Sequence, residues 1–344
     1  MIIYINGRFL AQKVTGVQRY AIETIKEMDK LNLNTEIIIL HPKNIINKLE
    51  LSNIKLQQIG KNTGHLWEQL TLPIYLRKKN KHVKLLSFGN IAPILFPGYV
   101  VIHDISFKTH PSHLNWKFVL WYRIITRLNI KRYKHIFTDS EFSKNEILKN
   151  YNIKEENITV TYLAAEHIKN IEPDENIIKK LDLENKEFCF SLGSKSPHKN
   201  IKYVMQCAKN NPKMIFIVSG AENKIFKEEE RENVRNLIFT GYITDNQLVT
   251  LYKKCKCFIF PSLYEGFGIP PLEAINVGCK NIFLSDIPVF REIYGDNVNY
   301  IKENVILKLE NEIESIEIDD KFLSKYTWDK IANKISEKIV KGNY

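Results

Sequence analysis

Short apolar runs recur along the chain, each bounded by turn-forming residues and followed by a longer amphipathic stretch. In the first half they are MIIYIN (1–6), EIIIL (36–40), KLLSF (84–88), YVVIH (99–103), HIFTD (135–139) and ITVTYL (158–163). In the second half they are EFCFSLG (187–193), MIFIVSG (214–220), NLIFTG (236–241), CFIFPS (257–262) and NIFLS (281–285). The runs are apolar on both sides, the pattern of a strand covered on both faces. Strands of that kind separated by helical stretches predict parallel sheets with crossover helices, hence an α/β protein. Several runs end in Gly, Ser, Asp or His, and ligands of open α/β sheets bind outside those carboxyl ends.

A chain of 344 residues exceeds one ordinary core, so two domains are expected. The polar segment HIKNIEPDENIIKKLDLENKE (167–187) parts the two strand series and reads as the linker. The expected organisation is two Rossmann-like domains facing a cleft, over 1–168 and 169–325. The stretch YTWDKIANKISEKIV (326–340) reads as an amphipathic helix, and residues 326–344 are expected to pack back towards the first domain. SKNE, from Ser143 to Glu146, matches a capping box.

Composition fits this reading: 44% hydrophobic and 26% charged residues describe a soluble globular chain. No apolar run approaches the roughly 20 residues that span a bilayer. MIIYINGRFL opens as a buried strand without a basic leader or a cleavage site, so no signal peptide is expected. Cys189, Cys207, Cys255, Cys257 and Cys279 are odd in number and confined to the second half. Reduced thiols of a cytosolic protein fit them better than a disulfide framework, and no zinc-ligand spacing is present. The net charge of +11 is uneven: residues 1–170 hold 25 Lys and Arg against 13 Asp and Glu, and residues 171–344 hold 25 against 26. A basic half fits either an anionic partner or a solvated Lys-rich surface.

The stretch PSLYEGFGIPPLE (261–273) concentrates chemistry. It joins the strand CFIFPS to a helix expected over PLEAINVG, with Pro271 near its first turn and Gly278 at its end. Backbone N–H groups at such a helix start suit an anion. Glu265 in the loop and Glu273, expected in the first turn, cannot bind a phosphate but can accept hydrogen bonds from sugar hydroxyls. Equally, Glu273 could complement the helix dipole and Glu265 could be a surface residue; the spacing alone leaves both open.

PSLYEGFGIPPLEAINVGC closely resembles the signature of family-four glycosyltransferases, retaining enzymes of the GT-B fold whose two glutamates have seven residues between them. TGVQRYAIE (15–23), HLWEQLTLP (65–73), HDISF (103–107) and TDSEFSKNEI (138–147) are similar to its first-domain blocks. GSKSPHKN (193–200) resembles the block G-S-x-x-P-R-K-N, and FTGYITDNQLVTLYKKCKCFIFPS runs on into the signature. The resemblance covers both domains in the expected order. It implies a nucleotide-sugar donor as co-substrate, with no metal and no other cofactor. By the resemblance, Glu265 hydrogen-bonds the donor sugar, with the backbone of Gly266, Phe267 and Gly268 near sugar and diphosphate. Glu273 binds the ribose, Lys199 neutralises the diphosphate, and Gly193 and Ser194 offer backbone N–H groups. Gly241 and Tyr242 lie near the base. Gly16 ends a flexible loop near the donor phosphates or the acceptor, and His103 reaches the donor sugar, with Asp104 beside it. The chain departs from the pattern at Ser194, where many relatives have arginine, and at His198, where the block has arginine; Lys195 is the possible substitute. No Asp-x-Asp motif occurs.

The resemblance further implies a hexosyltransferase of O-antigen, capsule or other lipopolysaccharide biosynthesis, with a lipid-linked saccharide acceptor. GDP-mannose is the first expectation for the donor and a dTDP- or UDP-hexose the next. Two basic stretches fit an anionic membrane surface: RKKNKHVK (77–84), and a helix over 116–134 with Arg123, Arg127, Lys131 and Lys134 on one stripe and Phe118, Trp121, Ile125 and Leu128 opposite. The expected location is cytoplasmic, peripheral at the inner face of the membrane. Two other classes are disfavoured. A nucleotide-dependent oxidoreductase needs a Gly-x-Gly-x-x-Gly turn after its first strand, which MIIYINGRFL lacks. A nucleic-acid binder needs a reader motif, and none is present.

Overall fold

The computed structural model describes residues 1–79, 83–194, 196–220, 234–302, 305–309 and 316–342. They divide into two compact units, Met1–Leu163 with the segment from Tyr326 onward, and Ala164–Lys325. The sequence placed the boundary five residues later, at 168/169.

The first unit holds a parallel seven-stranded sheet. Its strands are β1 (Ile2–Asn6), β2 (Glu36–His41), β3 (Lys55–Gln58), β4 (Val83–Ser87), β5 (Tyr99–Val101), β6 (His135–Thr138) and β7 (Ile158–Val160), in the order β3-β2-β1-β4-β5-β6-β7. The six apolar runs of the first half became strands. The seventh, β3, reads KLQQ and is exposed along its length, so an edge strand without an apolar face left no hydrophobic signal. The Trp328–Lys341 helix belongs to this unit and packs on the Gly16–Lys30 helix. The Trp328 ring meets Tyr20 edge-on at 5.9 Å, and Lys84 Nζ donates to the carbonyls of Ile339 and Gly342, 2.6 Å from each. A cation on the last carbonyls of a helix satisfies groups that have no partner within it.

The second unit repeats the plan with six parallel strands: β8 (Phe188–Leu192), β9 (Ile215–Ser219), β10 (Leu237–Gly241), β11 (Cys257–Phe260), β12 (Ile282–Ser285) and β13 (Asn299–Ile301), ordered β10-β9-β8-β11-β12-β13. In both sheets the order reverses direction once, between β1 and β4 and between β8 and β11. Those switch points are where a doubly wound sheet opens a crevice. Residues 167–187, expected as a linker, belong to this unit. Asp174 N donates to Asn246 O at 3.2 Å and Asn246 Nδ2 to Glu172 O at 2.7 Å, while Ile177 and Leu183 are buried. The segment is polar because one side of it faces water. The capping box at Ser143 also moved: the helix is Glu141–Asn150, and its cap is Ser140, whose Oγ accepts from Ser143 N at 3.0 Å.

Candidate active site

At the β8/β11 switch point two loops are tied together by Leu263 N, which donates to His198 O at 2.7 Å. The tie brings Lys199, in the short turn Pro197–Lys199, to Glu265, in the loop after β11. Lys199 Nζ lies 2.6 Å from Glu265 Oε1 and 4.8 Å from the centroid of the Phe260 ring. The two side chains are 19% and 13% exposed. The residues that the sequence assigned to separate tasks are therefore one ion pair. An ammonium has three donors, so Lys199 can hold Glu265 and still offer protons to an anion.

Gly193 follows β8, and its N–H donates to Ser219 O at 2.8 Å. A Cβ at Gly193 would stand 2.2 Å from Ile201 Cδ1, so the first side chain of the Ile201–Asn210 helix lies directly against the strand end and would have to shift for any larger residue. Ser194 Oγ accepts from Ser196 N at 3.2 Å. Gly241 ends β10, with its carbonyl accepting from Gly220 N at 2.7 Å, and Tyr242 beyond it is 87% exposed. Lys195 lies outside the described residues.

Gly268 caps the Ile269–Asn276 helix with φ 89° and ψ 74°, and a Cβ there would meet Phe290 Cε1 at 2.6 Å. Gly266 is half-buried and the Phe267 ring is in the core. Two expectations change here. The helix begins at Ile269, so Pro270 and Pro271 both lie in its first turn and remove two N–H donors from the anion site inferred from the sequence. Glu273 is the fifth helical residue and sits in the second turn, so it does not complement the helix start. Its carboxylate turns inward instead: Oε1 lies 3.5 Å from His167 Nε2, and Oε2 accepts from the Tyr252 hydroxyl at 3.5 Å. Burial, with the Glu273 charge beside it, pushes the Tyr252 hydroxyl well above its ordinary pKa and keeps it a donor.

In the first unit Gly16 is the first residue of its helix, not the end of a free loop. Thr15 caps that helix and Gln18 completes the capping box. His103 is buried. Its Nδ1 lies 2.8 Å from Asp139 Oδ2 and its Nε2 2.9 Å from Phe88 O, while its N–H donates to Asn90 Oδ1 at 2.6 Å. Both ring nitrogens are thus committed within the unit. Asp104 Oδ1 accepts from Ser106 N at 2.7 Å, starting the next helical turn.

A polar cluster that sequence reasoning did not single out lies at the β1/β4 switch point. Asn6 Nδ2 donates to Glu68 Oε1 at 2.8 Å and to Ser87 Oγ at 3.3 Å, and Arg8 Nε lies 3.2 Å from Glu68 Oε1. Burial would raise the Glu68 carboxyl, but the Arg8 charge, the His65 ring 3.3 Å away and the hydrogen bond from Asn6 hold it below the usual range. Glu68 lies in a π segment, Trp67–Thr71, a helical irregularity that recurs at functional sites. The block HLWEQLTLP pointed to this region, but nothing in its spacing distinguished Glu68.

The basic helix is Trp116–Asn129, five residues shorter than expected, so Lys131 and Lys134 lie beyond its end rather than on its stripe; Arg123, Arg127, Lys131 and Lys134 are all exposed. The apolar stripe is not where the sequence put it. Val119, Tyr122, Ile125 and Thr126 face the core, whereas Phe118 and Leu128 are exposed and Trp121 is half-buried. Of the basic run 77–84, residues 80–82 lie outside the described residues.

Residues 173–334 match the family described as glycosyl transferases group 1. The chain is 26% identical to the O-antigen chain mannosyltransferase RfbU of Salmonella typhimurium, over 77% of this chain and 75% of that one. It is 25% identical to the O-antigen chain mannosyltransferase B of Escherichia coli, over 82% of each. Among solved structures, Anabaena Alr3699/HepE in complex with UDP and glucose matches with a TM-score of 0.70 at 15% identity, covering 98% of this chain and 99% of that one. WaaG, a glycosyltransferase involved in lipopolysaccharide biosynthesis, matches with a TM-score of 0.65 at 13% identity, covering 99% and 92%. At these identities the two structures show a shared fold.

Proposed function

We propose that the chain, whose fold is GT-B, is a glycosyltransferase of group 1 that moves mannose, with retention, from GDP-mannose to a lipid-linked saccharide during O-antigen assembly. The observation that carries the site assignment is the Lys199–Glu265 pair at the β8/β11 switch point, 2.6 Å apart on loops joined by a backbone hydrogen bond. Mannose is supported by the names of the two O-antigen relatives, each matched over at least three quarters of both chains. Lys199 meets the negative charge that grows on the diphosphate as the glycosidic bond breaks, and charge stabilisation aimed at a leaving group acts where catalysis needs it. Glu265, held by Lys199, accepts hydrogen bonds from the sugar. The leaving phosphate takes the proton of the incoming hydroxyl on the same face. A hydrolysis screen over GDP-mannose, UDP-hexoses and dTDP-hexoses tests the donor: turnover of GDP-mannose is expected to dominate, and preference for another nucleotide replaces it.

Glu273 is assigned to the ribose. Its carboxylate has acceptor sites beyond those facing Tyr252 and His167. Losing two ribose hydrogen bonds to a carboxylate costs on the order of 1.5–3 kcal/mol, so Glu273→Ala is expected to weaken nucleoside diphosphate binding about 10- to 150-fold in calorimetry. Equal affinity for the two proteins removes the ribose role.

The diphosphate charge falls to Lys199 and to backbone N–H groups, so transfer is expected to persist in excess EDTA. Activity lost to the chelator and restored by Mg²⁺ or Mn²⁺ would assign the diphosphate to a metal. The acceptor side is proposed to work at the inner face of the cell membrane, with Arg123, Arg127, Lys131 and Lys134 on anionic headgroups; all four are exposed. No helix among the described residues is long and apolar enough to cross a membrane.

A further inference from the structure

Residues 69–138 contain 12 Lys and Arg and one acidic residue, Asp104. The remainder of the chain holds 38 Lys and Arg against 38 Asp and Glu. The entire net charge of the protein therefore arises from one stretch of the first unit. Two helical segments within or bordering this stretch also expose large apolar side chains at a helical repeat. On the run from Gly64 to Arg77 these are Leu66, Leu70 and Ile74. On the Trp116–Asn129 helix they are Trp116, Leu120, Ile124 and Leu128. All seven are between 46% and 67% exposed. The helices touch: the Trp121 indole N–H donates to His65 Nδ1 at 3.3 Å, and the two rings meet at 5.5 Å. Each helix precedes a strand of a parallel sheet, so it runs antiparallel to the strands. Leu66 and Trp116, near the helix starts, consequently lie towards the carboxyl edge of the sheet, where ligands bind.

We propose that these two helices form an apolar ridge that enters the acyl boundary of an anionic bilayer while Lys117, Arg123, Arg127 and Lys131 stay among the headgroups. The inference rests on the membrane reading above and goes beyond it, because it gives the contact an apolar part that salt does not screen. Charge selects the occupant. A second copy of the chain would set one strongly basic face against another. A nucleic acid would meet the basic residues but leave Leu and Ile side chains, which cannot stack on bases, against its backbone. An anionic bilayer satisfies both features at once.

Co-sedimentation with vesicles of phosphatidylethanolamine and phosphatidylglycerol tests this, at low salt and at about 1 M salt, where the screening length is about 3 Å. Wild type is expected in the pellet at both. The variant L70S/I74S/L120S/I124S, altered only at exposed positions where folding is little affected, is expected to bind at low salt and to wash off at high salt. Bromine placed on the acyl chains is expected to quench wild-type tryptophan fluorescence, and Trp116→Phe to abolish most of that quenching, since Trp116 is 67% exposed whereas Trp121 is half-buried and Trp67 and Trp328 are buried. Wild type that binds at low salt, is stripped completely by 1 M salt and is not quenched overturns the ridge and leaves a purely electrostatic contact. Wild type that never pellets overturns the membrane reading itself. Self-association that the four serines abolish, without vesicle binding, assigns the ridge to a second copy and overturns the proposal.

Discussion

Lys199→Ala is expected to lower turnover about 10²- to 10³-fold, the scale seen when one preorganised donor is removed from a developing negative charge, with a near-normal unfolding midpoint. The size of the effect depends on whether the Lys199–Glu265 pair serves the reaction or the fold. Both side chains are partly exposed, and ion pairs in that setting contribute about 0–1 kcal/mol to folding. A fold does not need them, yet the loop tie from Leu263 to His198 and the Phe260 ring beneath the ammonium hold Lys199 in place. Kinetics and thermal unfolding on the same preparations separate the readings. A large drop in turnover at unchanged stability supports a charge role. Lost stability with turnover intact makes the pair a structural clamp. Glu265→Gln should also lower turnover, and the double substitution should cost less than the sum of the two, because contacting groups do not act independently.

The strands were legible because their burial is local: an apolar run such as CFIFPS carries its own evidence. β13 (Asn299–Ile301) is short and only partly buried, and like β3 it sits at a sheet edge, where packing writes little into the sequence. The helix over 116–129 failed for the opposite reason. It is apolar on nearly every side, so periodicity offered several stripes and could not tell Ile125, in the core, from Leu128, on the surface. At the site, residue types at strand ends were legible while their partners were not. Lys199 and Glu265 are 66 positions apart and Glu273 and His167 are 106 apart; such pairings exist only once the sheet has brought separate loops together. The first turn holding Glu273 was misplaced because two consecutive prolines let the helix begin earlier than the pattern indicated.

Asp139→Ala is expected to destabilise the first unit by about 3–5 kcal/mol, the cost of leaving one member of a buried ion pair alone. For a unit of this size that lowers the unfolding midpoint by on the order of 10 °C. His103 Nδ1 faces the Asp139 carboxylate and Nε2 faces the Phe88 carbonyl. While Asp139 is ionised both are acceptors, and the ring can satisfy both only as the imidazolium, the form favoured below its raised pKa. Burial alone would lower its pKa, but the charge and hydrogen bond of Asp139 outweigh burial and raise it. A raised value in the folded state means that this contribution is complete below about pH 6.5, the unfolded value, and is lost as pH climbs through the folded value. Burial also pushes the Asp139 carboxyl up, and its Oδ1 has no hydrogen-bond partner among the described residues. The pair is therefore maintained by His103 rather than by solvation of the carboxylate. Unfolding midpoints from pH 6 to 9 should fall for the wild type and flatten for Asp139→Ala, and a parallel pH dependence in both proteins would show that the imidazolium is not what Asp139 stabilises. The double variant His103→Phe/Asp139→Leu should recover part of the lost stability, because apolar groups of similar size leave no charge stranded. Recovery of stability without recovery of transfer would then assign the His103 ring a part in the reaction as well as in the fold.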